Sequence, residues 1–317
     1  MPAPPFALES VSHCLNCGSP DHVPYLTTPA HMHRGDETFD FMRCQQCDLV
    51  FLAPRVPASE LGRYYQADYL PYRGPAAWGR YAPLVERDLR RTDQARARLV
   101  QRHVALSPHE VVLDVGCGKP SFLQTLIDQT GCQGIGTDFT DAGWRDGSYA
   151  QPSLTLLEGD LHQLALPTRP HAITMWHYLE HDYDPGRTLR TLAEVARPAA
   201  RLFIEVPNLD AWTRRWQGQY WEGFHAPRHT ALYTPATLAD LLQRNGWEVV
   251  EQQPYGTLDP YAVFWMGQME RRGLDWRSDM ARQFPGFLAG MILTAPLFAL
   301  QRLLPLAVMT SIARPAR

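Results

Sequence analysis

The chain has no surplus of basic charge: 30 Lys and Arg stand against 33 Asp and Glu in 317 residues, a net charge of −3. Recognition of a phosphate backbone leaves a basic excess, so a general nucleic-acid binder is excluded. No basic start followed by an apolar run is present at Met1-Pro-Ala-Pro-Pro, so no secretory signal is read there and a cytoplasmic location is expected. In a reducing compartment the six cysteines are not expected to form disulfides. No internal repeat is visible. An uninterrupted membrane-crossing run is also missing: Phe284 to Leu300 carries no charge over 17 residues, but Pro285, Gly286, Gly290 and Pro296 interrupt it. What is abundant is proline, 27 residues concentrated in the first eighty and near the C-terminus, where loops are expected.

The most informative stretch is Val111-Val-Leu-Asp114-Val-Gly116-Cys-Gly118. β-forming residues lead into an acid and a glycine-spaced turn, and Pro120 to Ile127 then reads as a helix. A strand–turn–helix of this kind brings a nucleotide-like ligand close to the backbone. Asp114 bears on which ligand: a carboxylate there repels a pyrophosphate and suits the ammonium group of S-adenosylmethionine, which carries no phosphate. Asp114, and Ser121 where a dinucleotide fingerprint places its third glycine, count against an NAD-dependent oxidoreductase.

Strands and helices alternate beyond this point, as in a parallel sheet with crossover helices. Strands are expected at Val111–Val115, Gln133–Asp138, Leu154–Glu158, Ala172–Trp176, Arg201–Val206 and Trp247–Gln252, with Ala307–Ala313 as a final edge strand. The Arg residues of the helical pattern over 84–106 read as a solvated face. The division is a disordered leader (1–12), a zinc-ribbon segment (13–52), a connector (53–83), a ligand-binding α/β domain (84–255) and an apolar helical cap with the last strand (256–317). The apolar stretch from 284 is expected to form a helical hairpin buried against the core or lying over the active site, with peripheral membrane contact as the alternative.

Cys14-x-x-Cys17 and Cys44-x-x-Cys47 present two thiolate pairs, the pattern of tetrahedral zinc. Four thiolates leave no open position, so the metal is expected to be structural.

Asp138 and Asp160 end the second and third α/β strands. Asp138 is placed to accept both hydroxyls of a ribose, and Asp160 the adenine amine, with Leu161 against the ring. Trp176 at the fourth strand tip completes the candidate cofactor contacts. Singly, each acid reads equally well as a helix cap; three on successive strand tips point at one crevice. His177, Glu180 and His181 follow the fourth strand and could supply a general base, a metal site or orienting groups. Trp221 to His229 follows the fifth strand, an aromatic loop with two histidines and Arg228. His229 is the more plausible base, because Pro227 stiffens the turn before it.

These residues resemble the class I S-adenosylmethionine-dependent methyltransferases. Val-Leu-Asp114-Val-Gly-Cys-Gly118 matches their first motif, Gly-Thr-Asp138 and Glu-Gly-Asp160 the next ligand-contact positions, and Leu179-Glu-His181 with Asp184-Pro185 the fourth-strand segment. Pro227-x-His229, then Tyr233-Thr-Pro, resembles a bacterial subgroup with such a loop; the cysteine pairs and Tyr64-Tyr65 resemble its zinc-binding preface. The resemblance implies a doubly wound, seven-stranded Rossmann-like α/β sheet whose last strand is antiparallel, S-adenosylmethionine as cofactor, and methyl transfer to a small-molecule acceptor. Pro120 stands where the family has glycine, and His177 where ubiquinone-type O-methyltransferases have glutamate. The aromatic residues Trp212, Trp216, Tyr220, Trp221 and Phe224 suggest an aromatic or lipophilic acceptor. A catalytically silent, donor-binding zinc-ribbon scaffold is the alternative from another class.

Overall fold

The computed structural model describes residues 6–33, 35–66 and 69–316. The N-terminal part is a small antiparallel sheet of β1 (His22–Pro29), β2 (Thr38–Cys44) and β3 (Val50–Leu52). Alternation along β2 turns Phe39 and Phe41 inward, as expected of a half-buried strand. One cysteine pair precedes β1; the other spans the turn between β2 and β3.

The connector holds the short α1 (Leu70–Arg73) and a 3-10 stretch before α2 (Ala82–His103). In α2, Asp93, Ala97, Leu99 and Val100 are buried while most of its arginines face solvent, as expected. A sheet of β4 (Val111–Val115), β5 (Gln133–Asp138), β6 (Leu154–Glu158), β7 (Ala172–Trp176) and β8 (Arg201–Pro207) follows, with α3 (Ser121–Thr130) and α4 (Pro185–Val195) as crossovers. After β8 come α5 (Trp212–Gln217), the two-residue β9 (Ala231–Leu232), α6 (Pro235–Arg244) and β10 (Trp247–Gln253). The Thr234 side chain accepts a bond from the Thr237 amide, and the Thr237 hydroxyl returns to the Thr234 amide, fixing the start of α6. The chain closes with α7 (Pro260–Arg271), α8 (Phe284–Phe298) and β11 (Val308–Pro315).

Strand order in the large sheet is β10-β11-β8-β7-β4-β5-β6. The central strands β4 and β7 are buried on both faces, so their patterns are continuously apolar rather than alternating. Leu113, Ile173 and Trp247 pack on one face with α4 and α6; Val112, Phe122 and Phe203 pack on the other with α2 and α3. This is the doubly wound, seven-stranded α/β fold.

Three expectations need correcting. β11 is not an edge strand. It lies between β8 and β10 and pairs antiparallel with both, Met309 opposite Val206 and Ala313 opposite Val249, so β10 forms the edge. Local pattern announces a strand but not its rank in the sheet. Residues 6–12 are not a detached leader: Glu9 and Arg55 exchange backbone hydrogen bonds of 2.8 and 3.0 Å, while Phe6 and Leu8 pack on the small core (residues 1–5 lie outside the described residues). The apolar tail is a single helix rather than a hairpin. α8 packs on α7 through Phe287, which lies 5.2 Å from Tyr261 and 5.4 Å from Trp265 between ring centroids. Gly290 permits that approach, because a Cβ there would sit 2.2 Å from the Tyr261 hydroxyl. The opposite side of α8 is not buried: Ile292 is 66% and Leu293 82% exposed.

The zinc-ribbon segment is welded to the α/β domain. β3 pairs with β9, Val50 opposite Leu232 and Phe51 opposite Ala231, so one antiparallel sheet runs from the cysteine turns into the loop that carries His225 and His229.

Candidate active site

On the donor side, the parallel register of β4, β5 and β6 brings their tips together. The turn after β4 needs Gly116: its φ is +70°, and a Cβ would meet the Tyr178 ring at 2.3 Å. The Gly116 and Cys117 amides donate to the Thr137 carbonyl at 2.8 and 3.0 Å. Asp138 clasps the same turn, its carboxylate accepting from the Gly118 amide at 2.9 Å and the Thr140 amide at 3.3 Å. Burial raises the Asp138 carboxyl above its ordinary value, and those backbone bonds work against the rise. Asp160 is exposed and accepts from the His162 amide at 3.0 Å in a turn, with buried Leu161 beside it. Trp176 meets Phe122 edge-on, and the Arg96 guanidinium lies 5.0 Å over its ring.

Asp114 lies within β4, below the turn. Its carboxylate is turned into the sheet, where it accepts from the Thr174 hydroxyl at 2.6 Å. Burial pushes its carboxyl up to about 7.

On the acceptor side, His177 at the tip of β7 is held with φ +58° between two carboxylates, Nε2 3.0 Å from Glu205 and Nδ1 3.4 Å from Glu180. Burial alone would lower its pKa; the contacts to Glu180 and Glu205 outweigh that and raise it to about 9. Glu205 is fully buried, yet its bonds to His177, the charges of His177 and Arg96, and the Thr257 amide bring it down to about 2. His177 is therefore a cation near neutral pH. That charge state suits an orienting group, among the roles expected of it, more than a base.

His229 is the opposite case. It is buried, and burial together with nearby His181 and His225 holds it well below the usual imidazole range. Its Nδ1 lies 2.8 Å from the Gly223 carbonyl. That oxygen can only accept, so Nδ1 carries the hydrogen and Nε2 is the lone-pair nitrogen. The His181 ring stands edge-on to it at 4.5 Å, and His181 Nδ1 lies 3.2 Å from both the Tyr65 hydroxyl and the Arg228 carbonyl.

Arg228, read from the sequence only as part of a polar loop, is fully buried and ties this loop to the N-terminal segment and the connector. It donates to the carbonyls of Tyr64 (Nε, 2.9 Å), His31 (Nη1, 2.8 Å) and Met32 (Nη2, 3.3 Å), and lies over the rings of Tyr69 (4.4 Å) and Tyr65 (5.4 Å). Tyr65 also stacks on Tyr72, 5.8 Å away, and approaches Phe139, next to Asp138. The aromatic wall is thus made by connector tyrosines. Trp221 and Phe224 are instead buried in the small core, and Trp216 packs on Phe264.

The four cysteines fit a structural metal. Their sulfurs lie within 4.8 Å of one another, with Cys14–Cys47 and Cys17–Cys44 at 3.5 Å, close to the ~3.8 Å sulfur–sulfur spacing of tetrahedral zinc. The amides of Asn16 and Gln46 point at Cys14 and Cys44 as in a metal knuckle. A cleft of about 420 Å³ beside Cys47, Arg214 and Arg244 lies apart from the strand-tip acids, none of which lines it.

A glycine turn clasped by one acid, with a second acid on the next strand tip, is the donor side of a methyltransferase fold. The model of the methyltransferase-domain family matches residues 85–252, just over half of the chain, and the chain belongs to that family. A ubiquinone biosynthesis O-methyltransferase of Nitrosospira multiformis is 29% identical over 119 residues, 36% of this chain and 49% of that protein, so the chain spans about half of the curated relative it matches. Two solved structures share the fold. One is the 1,6-didemethyltoxoflavin-N1-methyltransferase of Burkholderia thailandensis with 1,6-didemethyltoxoflavin and S-adenosylhomocysteine (TM-score 0.50, 15% identity, 86% of this chain and 98% of that one). The other is the magnesium protoporphyrin IX methyltransferase of Synechocystis PCC 6803 with S-adenosylhomocysteine (TM-score 0.50, 12% identity, 81% and 97%).

Proposed function

We propose that the protein is an S-adenosylmethionine-dependent methyltransferase acting on a small, aromatic or lipophilic acceptor, with His229 as general base. The donor, when bound, supplies a methyl group already activated on a sulfonium. The chain's task is then to align an acceptor with that methyl and remove its proton. Gly116 and Gly118 would let the donor approach the backbone, Asp138 would hold the ribose, Asp160 and Leu161 the adenine, and Trp176 would flank the methionine portion. Asp114 would favour the donor's positive charge from one layer below.

The observation that carries the acceptor half is the tautomer of His229, whose Nδ1–H is tied to Gly223 and whose Nε2 is free to accept a proton. Tyr65, Tyr69 and Tyr72 supply a wall for an aromatic acceptor, and His177, locked between Glu180 and Glu205, stiffens the strand tip. The test is incubation with methyl-labelled S-adenosylmethionine and a fractionated small-molecule extract. A labelled low-mass product supports the reading. Label entering only protein or RNA contradicts it.

The exposed side of α8 favours a peripheral membrane position, because Ile292, Leu293 and Leu303 leave apolar surface in solvent next to Trp216-bearing elements. By length and composition the helix from Phe284 to Arg302 could also cross a bilayer, but its contact with α7 suits a helix lying on a surface. Vesicle flotation that fails at any lipid composition would remove this part.

A further inference from the structure

Beyond the cysteine cluster, two groups of metal-ligating side chains converge: Glu180, His181 and His229, within the site described above, and another behind His229. His31 comes from the turn after β1, and Glu222 and His225 from the loop between α5 and β9. One ligand atom of each lies within 4.8 Å of the other two, and the residues are 0%, 8% and 4% exposed.

With Glu222 ionised, two acceptors of this cluster face each other. His31 Nε2 lies 3.1 Å from the Gln219 carbonyl, which can only accept, so the hydrogen is on Nε2 and Nδ1 is a lone pair. That lone pair faces the Glu222 carboxylate at 3.9 Å, acceptor against acceptor. Arg228 Nη1 donates to His225 Nε2 at 3.3 Å, so the His225 hydrogen sits on Nδ1, 2.7 Å from the other Glu222 oxygen but off the hydrogen-bond angle, and a metal bound at Nδ1 would displace it. His31 Nδ1, Glu222 Oε2 and His225 Nδ1 are all buried without a hydrogen-bond partner. One ligand atom of each residue lies within 4.8 Å of the other two, close enough to share one ion. Leaving such groups unsatisfied is costly, and a cation between them removes the cost.

The surroundings allow that charge. Among the described residues no Arg or Lys nitrogen forms an ion pair with Glu222, although the Arg228 guanidinium lies 3.3 Å from His225 Nε2. The Glu270 carboxylate is close enough to interact with Glu222, offsetting Arg228. The backbone holds the geometry: His225 sits at φ +35°, kept there by the Arg228 amide donating to its carbonyl at 3.0 Å, while the His31 amide donates to Ala226 at 2.8 Å.

We propose that His31, Glu222 and His225 form a second metal site, distinct from the four cysteines, for a divalent first-row transition ion. Two imidazole nitrogens and one carboxylate oxygen suit zinc, cobalt, manganese or ferrous iron rather than calcium or magnesium. Bond lengths near 2.0–2.2 Å need only small side-chain shifts from the present separations. Three protein ligands leave positions open, and the His225 ring lies 5.1 Å from His229, so the ion would border the acceptor chamber and join the N-terminal segment to the loop that carries the base. This inference concerns metal binding and stands whether or not His229 is the base.

The test is titration of the metal-free full-length protein with cobalt(II). The first equivalent should show thiolate-to-cobalt charge transfer, and a second should show only ligand-field bands. Glu222→Gln should abolish the second equivalent and keep the first, which also shows that the variant has folded; Glu180→Gln should keep both. Saturation of the wild type at one equivalent overturns the proposal independently of any variant. So does a second equivalent that survives Glu222→Gln but is lost in Glu180→Gln.

Discussion

The donor and acceptor sides of this molecule are built on different principles. The donor side is local: Asp138, two residues before Thr140, clasps a turn twenty residues earlier, and every part lies at the end of a strand in one parallel sheet. The acceptor side is assembled over long distances. Arg228 bonds carbonyls almost 200 residues away in sequence, and β9 joins the sheet of the cysteine segment. Charge is handled differently as well. Asp138 and Asp160 bond backbone amides and Asp114 the Thr174 hydroxyl, whereas the other side sets His177 between two buried carboxylates and holds His229 well below the usual imidazole range. The first arrangement suits a ligand common to many enzymes; the second suits a chamber shaped for one acceptor.

The comparison is tested most severely at His229. Replacement by Gln should slow turnover about 100- to 10,000-fold, as expected for loss of a general base, while donor affinity stays within a few-fold. Single-turnover methyl transfer beside donor calorimetry separates the two, and equal loss of both would mean that the two sides are not independent. Next in size is the metal: Cys44→Ser or chelation should release zinc and weaken amide-exchange protection over residues 222–233 through β3 and β9, with residues 111–138 unchanged. Uniform loss of protection would show one cooperative unit instead.

Little of the acceptor side was legible in the sequence, for physical reasons. The donor motif is read from glycine spacing and strand tips, and those signals lie within a few residues of one another. The seven strands are legible near their positions as short β-forming runs bounded by turn residues, whichever way they pair. The rank of β11 was missed because pairing partners leave no local trace. Arg228 reads as a surface residue until its carbonyl partners are seen. His31 and Glu222 gave no signal at all, since only the fold joins them. The cysteine pairs were legible because metal chemistry imposes a local spacing. Apolar composition alone does not say which side of α8 is buried, so its exposed residues Ile292 and Leu293 become visible only in the fold.

A smaller effect concerns pH. His177 has a folded pKa of about 9, above its ordinary 6.5, so its contribution to stability is complete below about pH 6.5 and is lost as pH rises through about 9. Glu205, lowered to about 2, contributes above its ordinary 4.5 and loses that contribution as pH falls toward 2. The melting temperature should therefore fall by roughly 2–5 °C between pH 7 and pH 10. His177→Asn should flatten that slope; an unchanged slope would remove the ion pair as its cause. Smallest of all, Leu293→Glu on exposed α8 should change stability by less than about 0.5 kcal/mol while reducing vesicle binding.

The central claim is that the strand tips of β4, β5 and β6 hold a phosphate-free adenosyl donor, with Asp138 on its ribose. Calorimetry of the wild type and Asp138→Ala with S-adenosylhomocysteine and with NAD tests it most directly. The account predicts one S-adenosylhomocysteine per wild-type chain, no detectable binding to Asp138→Ala, and no heat from NAD in either. Saturable binding of NAD by the wild type, or S-adenosylhomocysteine affinity unchanged in Asp138→Ala, would contradict it.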